Sequence, residues 1–374
     1  MMIQASNKCP AGASSLHTAI LDEIAGSHAA QLVIEELGIA MATHPGLRRD
    51  RNEDRIAVAR ITTPCAETYT VALVCDGVGG SESGDQAAAL TISSIIADLA
   101  QQRVRPSLKE LAVALVRRAD DLVRKELQGR GATTLVMLLA TTSGQLICAN
   151  VGDSRAYSWD TNSSKLDQVT VDDTIENELK DLPGNPAALI RARGLQGRLS
   201  QAIGEGGRTA DDLRVQTYTS ERFRLGAVLG SDGLWRAARD FEATVANSAT
   251  PNDAIRRAIA LANWVGGVDN ASLIAIGNIE RLYGGPIQAS TGRQQPEITL
   301  WSSLAKIKLL TSAWIGEAKP LEARGKAEKP KRKVVKKESR KTQDELQLRL
   351  EPADPKMGRP KIEVTTSEDR NKSE

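Results

Sequence analysis

The sequence predicts an α+β fold in which helices pack on the face of an antiparallel sheet. Residues 86–102 and 107–128 carry apolar side chains at helical spacing, Ala87, Leu90, Ile95, Ile96 and Leu99 in the first and Leu108, Leu111, Leu115 and Leu122 in the second. Consecutive strand-like runs follow at 132–140, 145–151 and 155–159, separated by Ser143-Gly144 and Gly152-Asp153. Two helices followed by a meander imply helices laid on a sheet rather than alternating βαβ units. The uninterrupted apolar run Val71-Ala72-Leu73-Val74-Cys75 reads as a strand buried on both faces.

Taken in order, the chain opens with a helix predicted around Leu16 to Ile24, broken by Gly26 and Ser27, within an N-terminal extension of residues 1–32. A short strand at Ile39 to Thr43 runs through His44-Pro45-Gly46 into the charged stretch 47–55, after which Ile56-Ala57-Val58 resumes an apolar run. Ser107 is placed to cap the second helix, with Glu110 in the capping-box position. Residues 165–209 are irregular, broken by Pro183, Gly184 and Pro186, as expected of a flap or a long connection. Leu225 to Gly230 is apolar again, Pro251 to Val265 reads as a helix, and Ala271 to Ile279 as the last strand. A linker is expected over 283–299. Leu300, Leu304, Ile307, Leu310 and Trp314 fall on one side of a helical wheel, predicting an amphipathic helix over 300–316.

Composition limits the partners and the compartment. The net charge of +2 conceals an asymmetry, because basic residues crowd between Lys319 and Lys341 while the body upstream is close to neutral or acidic. Residues 317–374 are rich in Pro, Lys, Arg, Glu and Ser with few apolar side chains, so a disordered basic tail is expected. Lys329-Pro330-Lys331-Arg332-Lys333, Lys336-Lys337 and Gly358-Arg359-Pro360-Lys361 suit a nucleic acid, and the 300–341 helix and basic run suit an anionic membrane or a protein partner. Cys9, Cys65, Cys75 and Cys148 form no C-x-x-C pair, and no transmembrane or secretory segment is read, which favours a cytoplasmic location.

The chemistry lies in acids at strand ends. Asp76 ends the buried strand and is followed by Gly77, Gly79 and Gly80; such an acid either caps the next helix, which begins near Gly84 or Asp85, or holds an ion. Asp54 with Glu53, Asp153 and Asp232 with glycine, and Asp269 with Asn270 occupy similar places. Brought together, they make an oxygen-rich pocket suited to Mg²⁺ or Mn²⁺, and two such ions clamp an in-line displacement at phosphorus. Arg49 supplies a guanidinium fork for an oxyanion. The three histidines, His17, His28 and His44, all precede the acids, no cysteine is followed six positions later by arginine, and no Walker A motif occurs. Water activated by metal is the nucleophile that remains.

The ordered motifs Arg49-Asp50-Arg51-Asn52-Glu53-Asp54, Asp76-Gly77-Val78-Gly79-Gly80, Gly131-Ala132-Thr133, Asn150-Val151-Gly152-Asp153-Ser154-Arg155, Ser231-Asp232-Gly233-Leu234-Trp235 and Asp269-Asn270 resemble the metal-dependent PP2C (PPM) protein serine/threonine phosphatases, in their bacterial form. The resemblance covers 33–282. It implies an αββα sandwich of two antiparallel sheets flanked by helix pairs, and hydrolysis of phosphoserine and phosphothreonine esters by direct attack of a metal-bridging hydroxide. It further implies that Asp76 bridges two ions with the Gly77 carbonyl as a further ligand, that Asp232 and Asp269 complete one ion and Glu53 the other, and that Asp54 ligates or orients waters. Arg49 would grip the phosphoryl group, and Asp153 would hold a third, weaker ion with Asp232. Residues 165–209 would form the flap beside the cleft. Phosphorylated proteins, made by an opposing serine/threonine kinase, are the implied substrates. Val78 stands where many eukaryotic members carry a histidine, and Asp172-Asp173-Thr174 where related chains often have Asp-His-Ser, so leaving-group protonation and flap contacts do not transfer. A catalytically inactive phosphoprotein-binding regulator, targeted by its basic tail, is the competing expectation.

Overall fold

A computed structural model of the 374-residue chain describes residues 13–26, 28–78, 83–181, 190–191, 193–236, 238–284, 297–302 and 306–310. The chain divides into two units, Met1–Ala318 and Lys319–Glu374, and all described residues belong to the first. The predicted disordered tail with its basic runs, Gly79, Gly80 and the prolines of the 165–209 segment lie outside the described residues.

Two antiparallel sheets stack face to face. The first contains β1 (Ala30–Ile34), β2 (Ile39–His44), β7 (Arg155–Asp160), β8 (Lys165–Gln168), β10 (Gly226–Gly230) and β11 (Ala271–Ile276), in the order β1-β2-β11-β10-β7-β8. The second contains β3 (Arg55–Thr62), β4 (Thr68–Cys75), β5 (Leu135–Thr141), β6 (Leu146–Val151), β9 (Gln216–Thr219), β12 (Glu297–Ser302) and β13 (Lys306–Leu310), in the order β13-β12-β3-β4-β5-β6-β9. Alternate side chains of each central strand face opposite layers, so continuous apolar runs are required. Val74 and Ala72 meet Met41 and Ile274 between the sheets, while Leu73 and Val71 face the helices. Every residue of β4 is buried, as the sequence predicted.

Helices α1 (Ala13–Ile24), α2 (Gly84–Ala100) and α3 (Leu108–Glu126) cover the outer face of the second sheet, and α5 (Phe241–Ala246) and α6 (Pro251–Trp264) cover the first; the short α4 (Ile175–Leu179) belongs to the 165–209 segment. Ser107 Oγ accepts a 3.3 Å hydrogen bond from the Glu110 amide, and Thr250 caps α6 by accepting from the Asp253 amide, with Pro251 in the first turn. The predicted N-terminal extension is therefore an integral part of the fold. Leu16, Ile20 and Ile24 of α1 are fully buried beside α2, and β1 begins within it, at Ala30.

Two further expectations are corrected. The predicted helix over 300–316 is not helical where it is described, and the linker predicted over 283–299 already contains the start of β12 at Glu297. β12 pairs with β3 from Glu297↔Thr62 to Ser302↔Ala57, and β13 pairs with β12. The alternation Ile298-Thr299-Leu300-Trp301 sends Ile298 and Leu300 to the helix layer and Trp301 between the sheets, and β3 would otherwise leave an unpaired buried edge. The expected meander of three consecutive strands is also broken: β5 and β6 pair, but at Gly152 the chain crosses to the other sheet, where β7 pairs with β10. Gly152 turns there with φ +94°, and a Cβ at this position would lie 2.7 Å from Thr134 Cγ2, so the crossing requires glycine.

Candidate active site

Strand register alone gathers the acids. Arg55 faces Cys75, Val74 faces Val136, and Leu135 faces Val151, so the start of β3 and the ends of β4 and β6 share one edge of the second sheet. In the first sheet Gly230 faces both Arg155 and Leu273, and Ala271 faces His44. Asp54, Asp76, Asp153, Asp232 and Asp269 each lie within one or two residues of these ends, at the same end of the sandwich.

A cavity of about 410 Å³ opens there, bordered by Arg49, Glu53, Asp76, Gly77, Asp153, Asp232 and Asp269. Its other wall comes from residues 197–205 of the 165–209 segment, including Gly197, Gln201 and Glu205, so that segment stands beside the cleft. Asp54 is the exception. It is 2 % exposed and sits beneath the cavity rather than on its wall. No histidine borders the cavity.

Glycines permit the close approach of the loops that carry the acids. A Cβ on Gly77 would lie 2.6 Å from the Gly84 carbonyl carbon and 2.9 Å from the Glu53 oxygen, and one on Gly233 would collide with the Asn270 carbonyl. Asp76 is held through its backbone: its amide donates to Thr134 Oγ1 (3.1 Å), and its carbonyl accepts from the Thr134 amide (2.8 Å) and from Thr133 Oγ1 (2.9 Å). Its carboxylate is thereby left for the cavity.

Beneath the acids runs a buried polar chain that the sequence reading missed. Asn52 Nδ2 donates to Thr43 Oγ1 (2.7 Å), which shares a 2.7 Å hydrogen bond with Ser272 Oγ. The Ser272 amide donates to Ser231 Oγ (2.9 Å), which donates to Asp54 Oδ2 (2.7 Å). Asn270 joins the two acidic loops: Nδ2 donates to the carbonyls of Pro45 and Arg51 (both 2.9 Å), and Oδ1 accepts from the Glu53 amide (2.8 Å). Arg55, 4 % exposed, donates to the carbonyls of Asn52 and Asp54 and ties the same turn to Ala25 after α1. The visible signal was an amide or hydroxyl beside each acid, as in Asn52-Glu53-Asp54, Ser231-Asp232 and Asp269-Asn270.

The electrostatics are those of crowded carboxylates. Burial, then Asp54, Asp232, Asp153 and Asp269 in turn, push Asp76 well above the ordinary carboxylate range. Burial raises Asp54 to about 6 against hydrogen bonds from serine, and burial followed by Asp153 raises Asp232 to about 7. Burial also raises Asp153 and Glu53, opposed in each case by an arginine, Arg236 and Arg49 respectively. Arg49 Nη2 pairs with Asp269 Oδ2 at 2.8 Å, and Arg236 pairs with both Asp153 and Asp232.

Among the described residues no three carboxylate, imidazole or thiolate groups converge closely enough to hold an ion as they stand, and Asp153, Asp232 and Asp269 are turned onto arginines. The donor set nonetheless fits a hard cation. Among the described residues Asp54 Oδ1 is buried without a hydrogen-bond partner, and the Asp76 carboxylate faces four other acids, a concentration of charge that oxygen-liganded divalent ions relieve.

A family profile described as Protein phosphatase 2C matches residues 46–179, the span that carries Glu53, Asp54, Asp76 and Asp153. Residues 46–179 thus carry a match to the protein phosphatase 2C domain. The chain is 26 % identical over 257 residues to the serine/threonine phosphatase stp of Listeria monocytogenes, covering 63 % of this chain and 93 % of that protein. Among solved structures, the PPM Ser-Thr phosphatase MsPP of Mycobacterium smegmatis, in complex with cacodylate, is 25 % identical with a TM-score of 0.51 over 65 % of this chain and 98 % of its own. The S. agalactiae serine/threonine phosphatase, 23 % identical, shares the fold with a TM-score of 0.52 over 63 % of this chain and 97 % of its own. The family is metal-dependent, in keeping with the donor set at this end of the sandwich.

Proposed function

We propose that this chain is a metal-dependent protein phosphatase that hydrolyses phosphoserine and phosphothreonine esters of proteins phosphorylated by a serine/threonine kinase. The observation that carries the reading is the convergence of Glu53, Asp76, Asp153, Asp232 and Asp269 with Arg49 around one open cavity. The relatives named serine/threonine phosphatases support the substrate class.

Asp76, with the Gly77 carbonyl, would hold a pair of divalent ions, Mn²⁺ or Mg²⁺; Asp232 and Asp269 would serve one and Glu53 the other. When bound, such a pair neutralises phosphoryl charge and lowers the pKa of water so that a nucleophile exists near neutral pH. Asp54, buried below the wall and held by Ser231, supports the ion site from beneath. Arg49 is partly exposed and pairs with Asp269 at 2.8 Å. With Asp269 serving as a ligand, the Arg49 guanidinium would be free to grip two phosphoryl oxygens and to orient the ester.

The test is turnover of a phosphothreonine peptide by the purified chain. Hydrolysis with Mn²⁺ that stops with EDTA and is restored by added Mn²⁺ is expected. Equal rates with EDTA and Mn²⁺ would overturn the reading.

A further inference from the structure

Arg236 directly follows the Ser231-Asp232-Gly233-Leu234-Trp235 motif. It leaves the 3-10 helix Asp232–Leu234, with its amide donating to the Asp232 carbonyl at 3.0 Å, so its side chain folds back over the acid four residues earlier. Nε lies 2.7 Å from Asp232 Oδ2, and Nη2 lies 2.6 Å from Asp153 Oδ2. Nη2 also donates to the Gly197 carbonyl at 3.1 Å. Gly197 has φ +63°, and a Cβ built on it would sit 3.5 Å from Cζ and from both terminal nitrogens, so the cavity wall rests over the guanidinium plane. One planar cation therefore joins an acid from the β6–β7 crossing, an acid from the end of β10 and the backbone of the 165–209 segment.

We propose that Arg236 is a built-in cation in the space between Asp153 and Asp232, so that these two acids anchor the segment around Gly197 instead of recruiting a third metal ion. A fork with donors on two edges satisfies both carboxylates and still reaches a carbonyl. A divalent ion entering between the same oxygens would meet a fixed positive charge and would have to displace it. The inference departs from the third-ion site that the resemblance implies for Asp153, and it rests on the phosphatase reading only in taking the Asp76 end as the seat of the other ions. Arg236 is a positioning residue here, acting through the two acids and the cavity wall.

Counting Mn²⁺ bound per chain at saturation, by electron paramagnetic resonance of the free ion, tests the inference without recourse to turnover. The Arg236 side chain is 46 % exposed, so Arg236→Ala opens no buried cavity. Arg236→Ala should bind one Mn²⁺ more per chain than the wild type, Arg236→Ala with Asp153→Asn should lose that extra ion, and Arg236→Lys, which keeps the charge, should bind as the wild type does. Equal counts for the wild type and Arg236→Ala, with Mn²⁺ bound to both, would overturn the inference and leave the phosphatase reading standing. No Mn²⁺ on either protein would overturn both.

Discussion

Ser231 Oγ, just past β10 of one sheet, donates a 2.7 Å hydrogen bond to Oδ2 of Asp54, just before β3 of the other, while Asp54 Oδ1 is without a hydrogen-bond partner among the described residues. The serine fixes the carboxylate so that its second oxygen is aimed without being spent. Ser231→Ala should lower the affinity for Mn²⁺ by about 10- to 100-fold, the usual cost of removing an outer support of an ion site. Isothermal titration with Mn²⁺ measures it, and an unchanged affinity would show that Asp54 plays no part in ion binding.

The raised acids set a pH dependence for the ion-free protein. Asp54 and Asp232 stand at about 6 and about 7, above their ordinary 3.8, so between these limits the folded chain binds more protons than the unfolded one. Stability must then fall as pH rises from about 4 to about 7. His17, lowered by burial, opposes this with one group. In EDTA, the midpoint of thermal unfolding should be lower by roughly 5 °C at pH 7.5 than at pH 5, a shift of a few kcal/mol for a domain of this size. Mn²⁺ should raise the midpoint at pH 7.5. A flat or rising profile in EDTA would contradict the account of crowded carboxylates.

Asn270 holds the loop that carries Arg49 and Glu53 through two donated hydrogen bonds and one accepted. Asn270→Ala strands the carbonyls of Pro45 and Arg51 and the amide of Glu53, at a cost of about 2–4 kcal/mol. Urea unfolding should register the loss, and turnover should fall with it, because both side chains on the loop face the cavity. A variant of unchanged stability and rate would mean that the loop is held by other contacts.

β12 makes a further prediction. Leu300 and Trp301 are both buried, on opposite faces of the strand, whereas Lys308 on β13 is exposed. Leu300→Ala should cost about 2–5 kcal/mol and Lys308→Ala less than about 0.5. Equal, small effects in thermal unfolding would argue that this hairpin does not cover β3.

The sequence made the central strands and the acids legible for a single physical reason. A strand buried on both faces is an uninterrupted apolar run, and an acid with glycines at its end has few other causes, so Val71 to Gly77 and Leu225 to Gly233 were readable locally. The hairpin of β12 and β13 was not, because Leu300, Leu304 and Ile307 fit a helical wheel as well as alternation, and what decides is the open edge of β3, some 240 residues away in the chain. The crossing at Gly152 was hidden likewise, since the same turn residues serve a hairpin and a change of sheet. Arg236 escaped notice because nothing in its neighbourhood announces that Asp153, 83 residues earlier, lies within its reach. Ser231, Asn270 and Asn52 were in view as motif residues, but their hydrogen bonds exist only once both sheets are assembled.

The most direct measurement of the central claim is turnover of a phosphothreonine peptide in saturating Mn²⁺ by the wild type and by Asp76→Asn, which keeps the size of the side chain and removes its charge. If Asp76 is the acid on which the ions and the phosphoryl transfer to water depend, kcat should fall by about 10³-fold or more while the far-ultraviolet circular dichroism stays that of the folded chain. A folded Asp76→Asn protein that hydrolyses the peptide at the wild-type rate would contradict it.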